Sequence, residues 1–267
     1  MNWFAESLKQ IGERLGVPKI RIDFAKCTES ELSMYCKRDV EILLAAYKDF
    51  VRFLEGNKIS RLCFTIGSTA MACYLLNYYD HKIYIHNNSE AIDLERASYR
   101  GGRVECFYLG EKSDETFYAL DVNSLYPAVM YHGSFPVKYL TCTERGSVEN
   151  LKRCLKTEAV IAKVLIETDE PAYAVKRDRT IFPVGRFWTV LCTPELVYAL
   201  CHNHIVEVKD IITYETASIF TRYVKRLYTL RQDFKSANVK TYENICKLLL
   251  NSLYGKFGQR AEVWKKI

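Results

Sequence analysis

The chain has 267 residues, of which 49% are hydrophobic and 26% charged, and its formal net charge is +6. This length allows a substantial core, and no apolar run approaches the roughly 18 residues of a membrane span, which excludes a membrane-spanning protein. Glu6 and Glu13 interrupt the apolar residues of the N-terminus, and the ten cysteines form no CxxC pair. We therefore expect an intracellular globular protein with reduced thiols and no signal peptide.

The positive charge is concentrated near the C-terminus. Residues 222–267 contain eleven Lys and Arg side chains and three acidic ones, whereas the first 221 residues carry a net charge of −2. A basic segment of this kind is typical of surfaces that bind nucleic acid or polyphosphate, although a solvated helix surface can have the same composition.

In chain order, the first strong periodic pattern predicts an amphipathic helix over residues 30–54 with Ser30 as its N-cap. Its predicted core-facing residues are Leu32, Tyr35, Val40, Leu43, Leu44, Tyr47, Val51 and Leu54. A second helix is predicted to open at Ser68. The pattern then changes to short segments rich in aromatic and β-branched residues, which predict strands at residues 82–86, 103–109 and 116–122.

The second half mixes strands and helices. Residues 159–168 and 206–214 predict strands, and between them lies a predicted helix with Thr193 as N-cap and Pro194 in its first position. Residues 216–257 predict helices with a break near 236–241. Because helices and strands occur in blocks and not in strict alternation, the predicted fold class is α+β.

Asp121 ends the last predicted strand of the first half and is followed at once by a turn. Pro127 opens a short predicted helix, so backbone amides at this turn and at the start of the helix can form an anion site. A carboxylate beside a phosphate is repulsive unless a divalent cation lies between them, and Mg²⁺ is commonly held by carboxylates together with phosphates. The pattern therefore predicts a metal–nucleotide site, with an ordinary turn residue as the alternative.

A second polar pattern occupies the last predicted helix. Lys247, Asn251 and Tyr254 are spaced to form one stripe, and Gly255 ends the regular pattern or leaves room for a close partner. The helix is predicted to face the core through Leu248, Leu249 and Leu253. Such a stripe can bind a triphosphate and present a ring to a sugar or base, although it is also typical of an exposed helix face. The basic residues that precede it favour binding: Arg222, Lys225, Arg226, Arg231 and Lys235.

Together these segments resemble the B-family DNA polymerases, and specifically the protein-primed subgroup of small phages, adenoviruses and linear plasmids. "DVNSLYPAVM", which begins at Asp121, resembles motif A, and "KLLLNSLYGKFG", which begins at Lys247, resembles motif B. "YRGG" at residues 99–102 resembles the motif that joins the exonuclease and polymerase modules, and "YCKRD" at 35–39 resembles the third exonuclease motif. "FPVGRF" and "TPEL" weakly resemble the segment between motifs A and B.

The resemblance implies a partial palm with an antiparallel sheet and helical fingers, preceded by the C-terminal remnant of a 3′–5′ exonuclease domain. The implied domains are an exonuclease remnant at 1–58, a linker and palm with an insertion at 59–215, and the fingers with the start of the return to the palm at 216–267. The implied activity is DNA-directed DNA polymerisation in the protein-primed replication of a viral or plasmid genome. A rival interpretation is a non-catalytic DNA- or nucleotide-binding module, or a relic of such a polymerase.

The resemblance also implies roles for individual residues. Asp121 is one of two palm carboxylates that hold Mg²⁺ or Mn²⁺, and Val122 offers its backbone carbonyl to a metal. Tyr126 packs under the incoming sugar and excludes a 2′-hydroxyl, while Lys247 binds the triphosphate and is a catalytic candidate. The other implied nucleotide-binding residues are Asn123, Ser124, Leu125, Asn251 and Tyr254, with Arg231 or Lys235 as a second basic residue. The implied DNA contacts are Tyr99, Arg100, Gly101, Gly102 and Gly255.

Two departures from the family pattern shape the expectation for this chain. Tyr254 is followed by thirteen residues, and the hairpin that supplies the second palm carboxylate is not among them. The first exonuclease motifs are also missing, so Asp39 is expected to be a leftover and Tyr35 to pack. We therefore expect a truncated chain with little or no primer extension of its own.

The implied partners are DNA template–primer, a deoxynucleoside triphosphate (dNTP), a terminal priming protein and a separate chain that supplies the missing carboxylate. No membrane partner is expected. The expected location is the cytoplasm of the host cell or the organelle that carries the replicon.

Overall fold

The computed structural model describes residues 6–113 and 115–259. The helices in these ranges are α1 (Leu8–Arg14), α2 (Glu29–Gly56), α3 (Ile66–Asn77), α4 (Ser89–Ser98), α5 (Leu125–His132), α6 (Val148–Cys154), α7 (Thr193–Cys201), α8 (Thr221–Ser236) and α9 (Lys240–Phe257). The strands are β1 (Phe135–Glu144), β2 (Ala159–Thr168), β3 (Val175–Lys176), β4 (Thr180–Ile181), β5 (Gly185–Cys192) and β6 (Ile205–Ala217). None of these helices has the length and apolar content needed to cross a bilayer.

The chain divides into two compact units. The first is helical and comprises residues up to 79, residues 124–132 and the chain from residue 220 onward. The second contains the sheets and comprises residues 80–123 and 133–219. The antiparallel sheet and the separate helical unit confirm the predicted α+β class.

An aromatic cluster forms the core of the helical unit. Tyr74 of α3 is fully buried, and its ring lies 5.4 Å from Phe220, 6.2 Å from Tyr223 and 5.8 Å from Phe257. Each such ring removes a large apolar area from water, and the tilted and edge-to-face arrangements add to the attraction. The cluster joins α3 to both α8 and α9.

Helix α2 joins the same unit through a second set of rings and a polar network. Phe53 lies 4.6 Å from Tyr242 of α9, measured between ring centroids. Asp49 accepts hydrogen bonds from the Tyr242 hydroxyl at 2.8 Å and from Arg14 of α1 at 3.1 Å. Paired in this way, the carboxylate can lie partly buried between helices without an uncompensated charge.

The sheet unit is built on a four-stranded sheet with the order β1-β6-β2-β5, in which every neighbouring pair is antiparallel. Strand β2 is central, and alternate side chains pack on opposite faces, as the two-residue period of a strand requires. One face packs with α6 and α7 through residues that include Val160, Ala162, Val164, Ile166, Leu191, Leu196 and Ala199. The other face packs with α4 around Ala91, Ile212 and Tyr214.

The strands predicted at residues 82–86, 103–109 and 116–122 are wrong. In the described part of these segments the backbone belongs to neither sheet, and residues 101–113 and 115–122 are exposed. Val104, Leu109 and Leu120 are 92%, 95% and 94% exposed. An alternating pattern shows that a segment can form a strand, but a strand also needs a neighbour that gives it a ladder of backbone bonds. Here the Tyr84 amide bonds to the Val137 carbonyl of β1 at 2.8 Å, but the segment does not become part of a sheet.

The predicted helix α2 exists, but its predicted cap was wrong, and of the predicted core-facing residues only Leu54 is fully buried. Thr28 caps the helix in a reciprocal pair with Glu31, two residues before the predicted Ser30. The buried residues of α2 are Ile42, Ala46, Phe50, Phe53 and Leu54, whereas Val40, Leu43, Leu44 and Tyr47 are at least half exposed. Apolar residues cover more than one side of this helix, so periodicity alone could not select the face that packs.

Two other caps lie near the predicted positions. Helix α3 begins at Ile66 with Thr65 as its N-cap, and α7 has Cys192 as its N-cap residue. The Thr193 hydroxyl bonds instead to the backbone of Val160, while the Glu195 carboxylate accepts from the Cys192 amide. All ten cysteines are unpaired thiols, as expected.

Candidate functional site

The turn at Asn123 and Ser124 leads directly into helix α5. Ser124 has a left-handed backbone with φ of 56°, and its carbonyl accepts a hydrogen bond from the Ala128 amide at 2.9 Å. The helix begins at Leu125, and Pro127 is buried as its third residue. The predicted turn and short helix are therefore present, with the helix opening two residues before Pro127.

Arg231 connects this turn to the last two helices of the helical unit. Its Nη1 donates to the Ser124 hydroxyl oxygen at 2.9 Å, and its Nη2 lies 3.6 Å from Oε1 of Glu243 on α9. The Arg231 and Glu243 side chains are 19% and 21% exposed. Burial raises the pKa of the neighbouring Cys246 thiol to about 12, although the positive charge of Arg231 acts in the opposite direction. That thiol is therefore neutral near pH 7.

Tyr126 of α5 and Tyr254 of α9 stack against each other. Their ring centroids are 4.5 Å apart with an interplanar angle of 12°, and the side chains are 43% and 42% exposed. Lys247 and Asn251 precede Tyr254 on α9 at the predicted helical spacing. The structure therefore brings the second half of one motif against the second half of the other.

The opposite side of α9 is packed into the helical core. Leu249, Leu250 and Leu253 are at most 1% exposed, whereas Leu248 is partly exposed, so Leu250 takes the core position predicted for Leu248. The hydroxyl of the fully buried Tyr223 on α8 donates to the Leu249 carbonyl at 2.8 Å. Burial raises the Tyr223 pKa well above its usual value. These contacts fix the rotation of α9 and hence the direction in which its polar stripe faces.

Two exposed lysines carry positive charge near this site without an ion pair to any residue in the described ranges. Lys247 lies on α9 in the polar stripe, and Lys235 lies one helical turn after Arg231 on α8. Gly255 is exposed, and a Cβ added there would meet no atom within 4 Å. The surface around Gly255 is therefore open to a ligand or to solvent.

Asp121, Val122 and Asn123 precede the turn and are all exposed. By its contacts this segment belongs to the sheet unit. In the described ranges no three His, Cys, Asp or Glu side chains are grouped as a metal site requires. Asp121 thus offers one accessible carboxylate, which fits a Mg²⁺ ion that takes most of its ligands from phosphate and water but does not form a closed protein site.

The predicted DNA-contacting segment at residues 99–102 has one buried member. Arg100 is 10% exposed and pairs with Glu195 Oε1 at 3.2 Å. It also donates to the Thr189 hydroxyl and to the Val190 carbonyl. Its guanidinium is therefore occupied by the sheet unit and anchors the segment to β5 and α7.

The remaining members of this segment are accessible. Tyr99 is 47% exposed, and Gly101 and Gly102 are exposed beside a cleft of about 380 Å³. The cleft is also lined by Arg103, whose guanidinium lies 4.0 Å from the centre of the Phe182 ring. The two glycines keep the backbone of this segment free of side-chain cover.

The two exonuclease-like residues form a small ionic cluster on α2. Lys19 donates to Asp39 Oδ2 at 2.8 Å, and its ammonium lies 4.6 Å from the centre of the Tyr35 ring. The hydrogen bond to Asp39 is the largest cause of a raised Lys19 pKa, and a hydrogen bond to the Tyr35 side chain raises it further. Phe24 packs edge-on against Tyr35 at 5.3 Å. The packing role expected for Tyr35 is therefore present, and Lys19 neutralises Asp39.

The sequence reasoning missed three side chains that fix these sites: Lys19, Glu195 and Glu243. Each pairs with a predicted site residue that is 12 to 95 positions away in the chain. Helical spacing instead suggests a pair between Glu243 and Lys247, which are four residues apart. No local pattern could have revealed these partners, because tertiary packing alone brings them together.

Comparison with known proteins places this geometry in a family. The family model for DNA polymerase type B, organellar and viral, matches residues 25–267. A probable DNA polymerase of Neurospora intermedia is 27% identical over 252 residues, which are 88% of this chain and 25% of that protein. A DNA polymerase of Acidianus bottle-shaped virus is 29% identical over 181 residues, which are 61% of this chain and 26% of that protein.

A solved structure shares the fold. Phi29 DNA polymerase complexed with primer-template DNA and incoming nucleotide substrates superposes with a TM-score of 0.66 at 20% identity, covering 95% of this chain and 47% of that one. The chain thus spans about a quarter of the length of these curated relatives and about half of the solved polymerase. The match to the family model covers most of the chain, and the chain therefore belongs to the organellar and viral type B DNA polymerases.

Proposed function

We propose that this chain forms the nucleotide-binding part of a DNA-directed DNA polymerase, with the incoming dNTP seated on the polar stripe of α9. The observation that carries the proposal is the stacked pair Tyr126–Tyr254, which joins the two polymerase-like motifs in one helical unit. Lys247 and Asn251 extend the stripe from this pair. An aromatic surface followed by an amide and an ammonium suits a nucleoside with a phosphate chain.

Each side chain has a specific task in this proposal. Lys247 neutralises the triphosphate, and Asn251 offers hydrogen-bonding groups beside it. The half-exposed edge of Tyr126 occupies the space that an added 2′-hydroxyl on the sugar would need. Tyr254 supports Tyr126 by stacking against it and lines the position of the nascent base pair.

Asp121, with the Val122 carbonyl, is the proposed protein contribution to Mg²⁺ or Mn²⁺ binding. A bound divalent ion would supply charge stabilisation for the attack of a primer 3′-hydroxyl on the α-phosphate. Asp121 is one exposed carboxylate, and no grouped partner lies among the described residues. A second carboxylate from outside the described residues is therefore part of the proposal.

The proposed DNA contacts are the accessible backbone at Tyr99, Gly101 and Gly102, together with Gly255 and the basic face of α8. The exposed ammonium of Lys225 on that face suits the phosphates of the nucleic acid backbone. Support comes from the relatives named as DNA polymerases and from the solved complex named with primer-template DNA and nucleotides. The whole enzyme is proposed to replicate a viral or plasmid genome with a terminal priming protein, in the cell or organelle that holds the replicon.

The domain assignment also belongs to this proposal. Residues 1–58 are taken as an exonuclease remnant, 59–215 as linker and palm with an insertion, and 216–267 as fingers with the start of the return to the palm.

Equilibrium binding tests the nucleotide site directly. The full chain is titrated with a fluorescent dNTP in Mg²⁺, with and without primer-template DNA. Lys247→Ala is expected to weaken dNTP binding by about tenfold or more, since it removes a charge-assisted contact. Lys256→Ala is the matched control, because it lies nine residues further along α9 and faces the opposite side of the helix.

The outcomes separate the alternatives. Binding of dNTP and DNA without primer extension would support a chain that binds but needs a second carboxylate from elsewhere. Robust extension by these 267 residues alone would refute the requirement for a further carboxylate. The nucleotide site is wrong if the chain binds no dNTP, or if both lysine variants lose equal affinity.

A further inference from the structure

Ser124 has an unusual backbone for its position in the chain. Five non-glycine residues in the described ranges have a positive φ: Lys58, Ser124, Arg145, Asn203 and Asn238. Lys58, Asn203 and Asn238 each follow the end of a helix by two residues, where a left-handed residue is a common way to close the last turn. Ser124 lies instead immediately before a helix begins, and its carbonyl accepts the first amide bond of that helix. A left-handed serine at this place therefore needs support from tertiary contacts.

Arg231 provides that support. One terminal nitrogen donates to the Ser124 hydroxyl oxygen at 2.9 Å, and the other lies 3.6 Å from the Glu243 carboxylate. The guanidinium is planar and presents its donors in a fixed fork, so binding at one end fixes the direction of the other. Because both the Arg231 and the Glu243 side chains are about four-fifths buried, water competes weakly for these contacts.

The same contacts leave Arg231 poorly placed to bind a phosphate. It would have to give up Ser124 and Glu243, and the carboxylate of Glu243 would repel the arriving anion. Lys235 and Lys247 are exposed and have no ion pair with any residue in the described part of the chain. They can bind phosphate without breaking an existing contact. The sequence left Arg231 and Lys235 as alternatives for the basic residue that binds the triphosphate together with Lys247. The geometry favours Lys235.

We infer that Arg231 is a positioning residue, which fixes the left-handed Ser124 turn and thereby places Tyr126 against Tyr254. Tyr126 follows Ser124 by two residues, so a change in the turn moves the ring that we propose to select the sugar. This inference rests on the proposed nucleotide site. Arg231 should therefore affect discrimination between deoxyribonucleotides and ribonucleotides more than the affinity for the triphosphate, whereas Lys247 should affect both nucleotides equally.

Nucleotide selectivity tests the inference in the full chain. The affinities for dATP and ATP in Mg²⁺ are measured for the wild type, R231A, R231K, S124A and the double variant R231A/S124A. We expect R231A to reduce the ratio of dATP affinity to ATP affinity by about fivefold, because the loss of one hydrogen bond changes an equilibrium constant by about that factor. S124A and the double variant should give the same loss, and R231K should not restore selectivity because an ammonium lacks the fork. K235A should weaken the binding of both dATP and ATP without changing the ratio of the two affinities.

A role in phosphate binding would give a different pattern. In that case R231A would weaken dATP and ATP equally, R231K would restore most of the affinity, and R231A would add to S124A. Any of these results overturns the inference.

A second measurement applies even if the wild type binds no nucleotide, which would refute the proposed function by itself. Hydrogen exchange at the Ala128 amide reports the first hydrogen bond of α5. The inference predicts that R231A and S124A speed this exchange by similar factors, with no further increase in the double variant. Unchanged exchange, or additive increases, would overturn it.

Discussion

Tyr223 is predicted to set the stability of the helical hairpin that carries the proposed nucleotide site. Its side chain is fully buried, and its ring lies 6.2 Å from Tyr74 and 5.9 Å from Tyr78, both at edge-to-face angles. Its hydroxyl donates to the Leu249 carbonyl at 2.8 Å. Tyr223→Phe keeps the ring contacts and removes the hydrogen bond, so it isolates the polar contribution.

The expected cost of Tyr223→Phe is about 1 kcal/mol, because the Leu249 carbonyl is inside α9 and keeps its helical hydrogen bond when the hydroxyl is lost. Tyr223→Ala also removes the ring and leaves a cavity, so its expected cost is about 3–5 kcal/mol. A cost of about 1 kcal/mol in Tyr223→Phe corresponds to an increase of about fivefold in the equilibrium constant for opening the hairpin.

Native-state hydrogen exchange is the appropriate assay, because it reports the opening of each of the two compact units separately. Amides of α8 and α9 should exchange about fivefold faster in Tyr223→Phe, while amides of β2 and β6 serve as the internal reference. The reasoning is refuted if Tyr223→Phe has no effect on α8 and α9, or if it costs as much as Tyr223→Ala.

Three further predictions concern the scaffold. Gly146→Ala should cost about 1–3 kcal/mol in a urea titration, because its Cβ would lie 2.7 Å from Cδ1 of the buried Ile211; Gly56→Ala, with no atom within 4 Å, is the control and should be neutral or stabilising. Burial raises the pKa of the Cys73 and Cys246 thiols from 9.0 to about 12. The folded state favours the protonated thiols, so their contribution to the free energy of unfolding is complete below about pH 9 and decreases as the pH rises toward 12. The urea midpoint should therefore decrease over this pH range, and it should decrease less steeply in Cys73→Ala. An unchanged slope would contradict the raised pKa. At pH 8 iodoacetamide should rapidly modify the exposed thiols of Cys36, Cys106 and Cys201. The buried thiols of Cys73 and Cys246 should react only at the rate of unfolding. Peptide mass spectrometry measures both rates, and equal rates would contradict the burial of Cys73 and Cys246.

Local sequence patterns predicted the elements whose packing is encoded within the element itself. Strands β2 and β6 were located because apolar and β-branched residues dominate them. The α8–α9 hairpin was located because the break near residues 236–241 separates two periodic segments. The turn after Asp121 followed from its Ser and Pro, and the stripe on α9 followed from helical spacing.

The errors occur where a distant partner decides the outcome. Residues 103–109 and 116–122 have strand-like composition but pair with no strand in the described part of the chain, so they form no regular structure and are exposed. Strand β1 was not predicted because its alternation is weak, and it forms by pairing with β6. The roles of Arg100 and Arg231 depend on Glu195 and Glu243, which no local spacing connects to them.

The central claim is that the Tyr126–Tyr254 stack forms the sugar side of a nucleotide site. The most direct test measures the affinities of the full chain for dATP and ATP in Mg²⁺, before and after Tyr126→Val. Tyr131→Val is the control, because it removes another aromatic ring from α5 and leaves the stack in place. We predict that the wild type prefers dATP, that Tyr126→Val binds ATP nearly as well, and that the control keeps the preference. An unchanged preference in Tyr126→Val would contradict the claim.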